Sequence, residues 1–272
     1  MSGEHVAILK SIILGLVQGL TEFLPVSSSG HLVLGTELLG FRNGGLFFDV
    51  FLHFGTLMAL VVFFHRDILA MVRSFFQRFY RPDDPVVRKF FALDLQIICA
   101  TIPAVIVGLF FKDQVEHLFA SPGLVLPMLA LTGVMMVATR FLPERSLPIG
   151  MFQAVAIGCA QAVSITPGIS RSGATIFIAL LLGAGRDDAA RFSFLLAVPA
   201  LVGAFLLSIF DLPHTFDINA QWLGLALGTF MSFVSGLFAI YWLLGFVRRG
   251  QLHWFGIYCL AVSLAGIVYS TV

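Results

Sequence analysis

The sequence predicts an all-α polytopic membrane protein, and three observations carry the prediction. Of its 272 residues, 58% are hydrophobic and only 11% are charged, against roughly 25% charged in a soluble domain. Mean hydropathy is +0.97. The apolar residues also fall into runs near the ~20 that a helix needs to cross a bilayer. Such a chain has too few polar residues to cover a water-soluble fold. That excludes an ordinary soluble enzyme, a secreted disulfide scaffold and a disordered chain. The net charge of +1 provides no basic field for nucleic acid, so no nucleic-acid partner is expected. Cys99, Cys159 and Cys259 are far apart in apolar runs and read as core residues with no disulfide or metal framework.

The elements follow in chain order. The first apolar region, 6–40, is broken by Pro25-Val26-Ser27-Ser28-Ser29-Gly30. Its pieces, about 12–17 residues each, are too short to cross comfortably, so a re-entrant hairpin is expected. Gln18 and Glu22 interrupt its apolar part and no clean cleavage site follows, so a signal peptide is not expected. Spans are expected at 47–64, 90–111 and 123–142. The second broken region, 149–185, carries Pro167-Gly168-Ile169-Ser170-Arg171-Ser172-Gly173 and predicts a second re-entrant hairpin. Spans at 192–210, 222–247 and 252–271 complete the fold. The expectation is six transmembrane helices plus two re-entrant helical hairpins, in a single integral membrane domain over 1–272.

Charge sets the orientation, because cationic residues collect in cytoplasmic links. Arg66, Arg73, Arg78, Arg81, Arg88 and Lys89 follow the first span. Alternation then places Arg140, Arg145, Arg186, Arg191, Arg248 and Arg249 on the same side, 12 of the 16 Lys and Arg. The loops assigned outside, 112–121 and 211–221, hold Asp113, Glu116, Asp211 and Asp217 with one Lys. Both termini are then expected outside.

The two broken regions resemble each other. Gly15-Leu16-Val17-Gln18-Gly19 lies over Gly158-Cys159-Ala160-Gln161-Ala162, and Ser27-Ser28-Ser29-Gly30 over Ser170-Arg171-Ser172-Gly173, at one offset of 143 residues. A hairpin plus three spans is an odd number of crossings, so the second half enters from the opposite face. An inverted-topology repeat follows, with repeat one at about 1–147 and repeat two at about 148–272. The hairpin breaks would meet near the midplane, where helix N-termini favour anions.

Two constellations carry chemistry. In the first, Gln18 and Glu22 share a helix face at i, i+4, followed by Ser27, Ser28, Ser29 and His31. A carboxylate within a membrane helix costs roughly 2.5–3.5 kcal/mol and marks a functional site by default. The serines can cap or pack helices as well as bind a ligand. His31 can exchange protons near neutrality. In the second, Arg171 stands apart from every basic link and offers a planar, bidentate phosphate clamp, or a structural partner for Glu22. The inventory suits phosphoryl transfer or hydrolysis, and no Walker loop is present. Asp49 and His53 are expected to support the same cavity. Asp94 and Gln96 are expected near the cytoplasmic end of a span, Asp187 and Asp188 in a solvated turn, and Trp222, Trp242 and Trp254 at the membrane interface.

Gln18-Gly-Leu-Thr-Glu22-Phe-Leu-Pro-Val-Ser-Ser-Ser-Gly-His31 and Pro167-Gly-Ile-Ser-Arg-Ser-Gly-Ala-Thr175 closely resemble the two signature motifs of the undecaprenyl-diphosphate phosphatase family, also called bacitracin-resistance proteins. The resemblance spans essentially the whole chain, including Phe192-Ser-Phe-Leu-Leu-Ala-Val-Pro199. It implies hydrolysis of a C55 polyprenyl diphosphate to the monophosphate, which recycles the lipid carrier for peptidoglycan synthesis and confers bacitracin resistance. It implies a multi-pass protein of the bacterial inner membrane with its site open to the outer, periplasmic face. Glu22, Ser28, His31 and Arg171 would be the essential residues. Gln18, Thr21, Ser27, Ser29, Ser170 and Ser172 would line the phosphate cradle. A divalent cation, Mg²⁺ or Ca²⁺, is implied, with Glu22 as its protein ligand. The family's first motif opens with Glu or Gln. Gln18 here leaves one carboxylate on that helix, so a mechanism needing two does not carry over. The expected partners are the polyprenyl diphosphate and membrane lipid, with a homodimer as the expected assembly. The rival function is a transporter or flippase for a polyprenyl phosphate lipid, since inverted repeats are transporter features. An anion channel gives no reason for a carboxylate and an imidazole in the filter.

Overall fold

Hydropathy becomes helix here because a backbone in lipid must satisfy its own hydrogen bonds. A computed structural model of the chain describes residues 3–41, 45–111, 114, 122–210 and 222–271. These form α1 (Gly3–Phe23), α2 (Ser28–Leu39), α3 (Gly45–Phe63), α4 (His65–Gln77), α5 (Pro85–Phe110) and α6 (Pro122–Ala138). The second half contributes α7 (Met151–Val163), α8 (Arg171–Leu181), α9 (Arg186–Phe210), α10 (Trp222–Arg248) and α11 (His253–Thr271). Among the described residues no strand forms; one isolated bridge joins Leu147 and Ala184.

Five helices are long and apolar enough to cross a membrane, or six if a bent pair forms one span. The chain is therefore an all-α polytopic membrane protein. Three details depart from the expected lengths. The span expected at 252–271, α11, counts over its described residues with the shorter apolar helices and not with the spans. The first arm of the first hairpin, α1, has 21 residues and is itself long enough to span. The span expected at 47–64 ends at Phe64, where the helix axis turns by 74° into α4. Part of the basic link is thus helical, tied down by Ser74 Oγ donating to Asp94 on α5 at 3.2 Å. The arms α7 and α8, with 13 and 11 residues, are too short to cross, as expected of a hairpin. The loops 112–121, apart from residue 114, and 211–221 lie outside the described residues, as does Arg42.

The packing is similar around the two aligned sequence segments. In the first hairpin α1 lies against α10, and its counterpart α7 lies against α5. Both contacts depend on missing side chains. A Cβ on Gly15 would sit 2.2 Å from the carbonyl oxygen of Gly228, and one on Gly158 would sit 2.1 Å from that of Ala100. Gly15 and Gly158 are the aligned residues of the two repeats. Without a hydrophobic force between helices in lipid, such small residues let backbones approach and gain dispersion. Phe23 and Phe194, each 1% exposed, then join the first hairpin to α9 edge to face, with ring centroids 5.9 Å apart.

The basic links gather at one end of the bundle. Arg186 pairs with Glu144 at 3.3 Å, Arg248 with Asp187 at 2.8 Å, and Arg191 with Asp67. Four links expected on one side are thereby tied to each other. Asp187 and Asp188 are solvent-exposed as expected, in the first turn of α9, and Asp187 accepts from Arg248 there. Gln96 Nε2 donates to the Ile149 carbonyl at 2.7 Å. Trp222, Trp242 and Trp254 are exposed. The three cysteines are unbridged, and only Cys259 is a buried core residue; Cys99 is half-buried and Cys159 is exposed, contrary to expectation.

Candidate active site

Each hairpin breaks where its sequence forbids helix and restarts on a serine cap. Ser27 adopts φ 68°, ψ 96°, a left-handed φ that costs a non-glycine residue energy. Its hydroxyl accepts from the amide of Gly30 at 3.4 Å and caps α2. Ser170 caps α8 by accepting from the amide of Gly173 at 3.1 Å. At Gly168, φ is +92° and an added Cβ would lie 2.4 Å from the Val125 carbonyl, so glycine is required on both counts.

The two breaks touch. Ser172 Oγ donates to the Leu24 carbonyl at 3.3 Å, and the Gly168 amide lies 3.5 Å from Ser29 Oγ. Thr132 on α6 clasps the second break from behind. Its hydroxyl donates to the Gly168 carbonyl at 2.9 Å and accepts from the Ser170 amide at 3.0 Å. The N-termini of α2 and α8, the ends of a helix that favour anions, are thus brought to one place.

Glu22 is the hub. It is 7% exposed. Its Oε1 accepts from Arg171 Nη2 at 2.5 Å, across 149 residues of sequence. Its Oε2 accepts from Ser28 Oγ at 2.5 Å and from Gln18 Nε2 at 2.9 Å. His53 Nε2 lies 3.7 Å from the same oxygen. A buried carboxylate is tolerable only with such a set of donors and a cation. The Glu22–Arg171 pairing and the supporting position of His53 are as the sequence suggested.

A cavity of about 570 Å³ opens on this cluster, lined by Glu22, Ser28, Ser29, His53, Ser170 and Arg171 at its polar end. Its long wall is apolar, from α5 (Thr101 to Leu109) and α9 (Pro199 to Leu207). Several wall residues, including Val105, Leu109 and Leu206, are exposed. One end can therefore hold an anion and the side can hold hydrocarbon.

The remaining expected site residues stand behind this wall. Thr21 Oγ1 donates to the Val17 carbonyl at 2.7 Å. Ser27 Oγ lies 3.3 Å from Ser29 Oγ, and Ser172 Oγ 3.2 Å from Ser170 Oγ. His31 is not on the cavity wall. Its Nδ1 is 2.8 Å from the Ser27 carbonyl and its Nε2 2.8 Å from the Tyr258 hydroxyl, with the two rings stacked. Imidazole here braces the strained Ser27 beside Ser28. Tyr258→Phe removes one hydrogen bond, worth roughly 0.5–1.5 kcal/mol. Purified Tyr258→Phe should therefore show kcat lowered about two- to tenfold with KM unchanged, whereas His31→Ala should lose far more.

Among the described residues no three His, Cys, Asp or Glu come together to hold an ion. Among the described residues Glu22 is the one carboxylate on the cavity wall, and both its oxygens already accept from protein donors. These residues do not form a resident cation cage.

Sequence reasoning missed Thr132, Tyr258 and Gln161. Thr132 and Tyr258 sit in ordinary apolar spans with no local signal. Gln161 did carry one, its alignment with Gln18.

Comparison with known proteins adds independent findings. The family model described as bacitracin resistance protein BacA matches residues 11–265. A protein of Syntrophotalea carbinolica named undecaprenyl-diphosphatase is 43% identical over 92% of this chain and 94% of its own. A protein of Korarchaeum cryptofilum with the same name is 40% identical over 95% of this chain and 97% of its own. One from Rubrobacter xylanophilus, also so named, is 42% identical over 94% and 96%.

Proposed function

The chain belongs to the bacitracin resistance protein BacA family, and we infer that it is an undecaprenyl-diphosphatase. It is a membrane hydrolase that converts undecaprenyl diphosphate to undecaprenyl phosphate and inorganic phosphate. The observation that carries this reading is the Ser28–Glu22–Arg171 contact at the polar end of an apolar-walled cavity. A transporter needs an anion site too, but gains nothing from a hydroxyl held against a buried carboxylate.

Arg171, the serine hydroxyls and the α2 and α8 amides bind the diphosphate and neutralise charge that builds on phosphate oxygens. Ser28 Oγ attacks the terminal phosphorus, and its proton passes to Glu22 Oε2, 2.5 Å away. The bond from that phosphorus to the bridging oxygen breaks, and undecaprenyl phosphate leaves with the electron pair. The proton on Glu22 passes to the leaving phosphate oxygen and restores the carboxylate. Water then attacks the phosphoserine and loses a proton to that carboxylate. The bond from phosphorus to Ser28 Oγ breaks, and Glu22 returns the proton to the serine oxygen as inorganic phosphate is released. His31 supports this as a brace on Ser27. The hydrocarbon lies along the α5–α9 wall. A divalent cation, Mg²⁺ or Ca²⁺, would come with the diphosphate's own oxygens, as Mg²⁺ commonly does. Assembly as a homodimer is part of the same proposal.

Repeat one (about 1–147) and repeat two (about 148–272) are read as inverted copies within one integral membrane domain. The matched packing of α1 on α10 and α7 on α5 supports this. The bacterial inner membrane is the proposed location, with the linked basic ends cytoplasmic and the cavity open to the periplasm. External labelling of cysteines placed in 112–121 and 211–221 should succeed, and labelling in 66–89 should fail; the reverse pattern inverts the orientation.

The deciding experiment is phosphate release by purified protein from undecaprenyl diphosphate in detergent, where no second compartment exists. Release is expected, and expected to vanish in Arg171→Ala. Its absence from wild type, together with lipid phosphate crossing vesicles, would favour the flippase.

A further inference from the structure

Gln161 on α7 lines the cavity and is only 2% exposed. Both polar atoms of its carboxamide, Oε1 and Nε2, are buried without a hydrogen-bond partner. Among the described residues it is the one side chain on the cavity wall in that condition. The repeat explains how this arises. Its counterpart Gln18 donates to Glu22 one turn along its own helix, at 2.9 Å. The residue one turn beyond Gln161 is Ile165, which offers nothing. Nearby polar groups are already committed. The Ser164 hydroxyl donates to the backbone carbonyl of Gln161 at 2.7 Å, Ser170 is paired with Ser172 and the Gly173 amide, and Arg171 is on Glu22.

A buried amide left unpaired costs free energy at each end, and an apolar residue of the same shape would avoid that cost. An ionised diphosphate carries acceptors only, so its site must supply donors. We propose that Gln161 is a substrate-binding residue whose amide NH₂ donates to a non-bridging oxygen of the diphosphate, while its Oε1 accepts from a water beside that phosphate. The assignment rests on the hydrolase reading of this cavity and deepens it. The two halves then contribute one glutamine each to the site, with different tasks. Gln18 holds the carboxylate and Gln161 holds the ligand.

The test compares wild type, Gln161→Met and Gln161→Glu, all purified in detergent. It measures kcat and KM for undecaprenyl diphosphate, and melting temperature with and without inorganic pyrophosphate. Gln161→Met should lower kcat/KM by about tenfold to a hundredfold, chiefly through KM. It should melt at or above wild type and lose the shift caused by pyrophosphate. Gln161→Glu keeps the shape, removes the donors and repels the anion, so it should fall further. Kinetics of Gln161→Met within about twofold of wild type, with an unchanged pyrophosphate shift, would overturn the assignment. If Gln161→Met does not fold, Gln161→Asn withdraws the amide by one methylene and is read by the same two criteria. If wild type releases no phosphate, the hydrolase reading fails. A pyrophosphate shift that is present in wild type and lost in Gln161→Met would still carry the binding role.

Discussion

Glu22→Gln should abolish phosphate release, with kcat lowered by at least about a thousandfold, the order seen when a catalytic group acting with its nucleophile is removed. The substitution keeps the shape and still accepts from Arg171, but cannot take the proton of Ser28. Arg171→Ala should be as inactive for a different reason. It leaves a carboxylate that is 7% exposed without its cation, and breaking a buried pair from one side costs about 3–5 kcal/mol. Activity alone cannot separate lost chemistry from lost folding. The double variant Glu22→Gln/Arg171→Met does so, because no uncompensated charge remains. It should recover the melting temperature lost in Arg171→Ala and remain inactive. Activity above about a tenth of wild type in Glu22→Gln would remove the carboxylate from the chemistry.

Ser28→Ala is expected to have the second-largest effect, about a hundredfold or more in kcat with a smaller change in KM. The hydroxyl donates 2.5 Å to Glu22 Oε2, a distance suited to proton transfer. Ser29 also faces the cavity but interacts with Ser27 and the Gly168 amide. Ser29→Ala should therefore act on KM rather than kcat. Rapid acid quench of wild type during turnover, followed by mass spectrometry, should find phosphate on Ser28. Wild-type rates in Ser28→Ala would hand the attack to water and leave Ser28 in the cradle.

These two predictions differ in how much of their basis was readable in the sequence. That Glu22 and Arg171 mattered was legible, because each is a charge in an apolar segment where insertion is costly. Their pairing was a guess across 149 residues of sequence, and geometry made it a contact. The family resemblance singled out Ser28 over Ser27 and Ser29, but its contact with the carboxylate was not legible in the residues themselves. Three consecutive serines look alike until the left-handed φ at Ser27 turns one hydroxyl to cap α2 and the next toward Glu22. His31 shows the opposite case. Its spacing suggested a proton carrier, and the fold gives both ring nitrogens to Ser27 and Tyr258, away from the cavity wall.

Sequence by itself determined the class, the helices and the charged residues that mark the site, because hydropathy in lipid is a local property. A run of apolar residues must become helix, and a lone carboxylate within it must have a reason. Tertiary structure alone decided which atoms meet. The close approaches at Gly15 and Gly158, the clasp of Thr132 on the second break, and the lack of a partner for Gln161 all arise between segments far apart in the chain. Such contacts depend on helix packing within tenths of an ångström, and no local pattern of residue types encodes that distance.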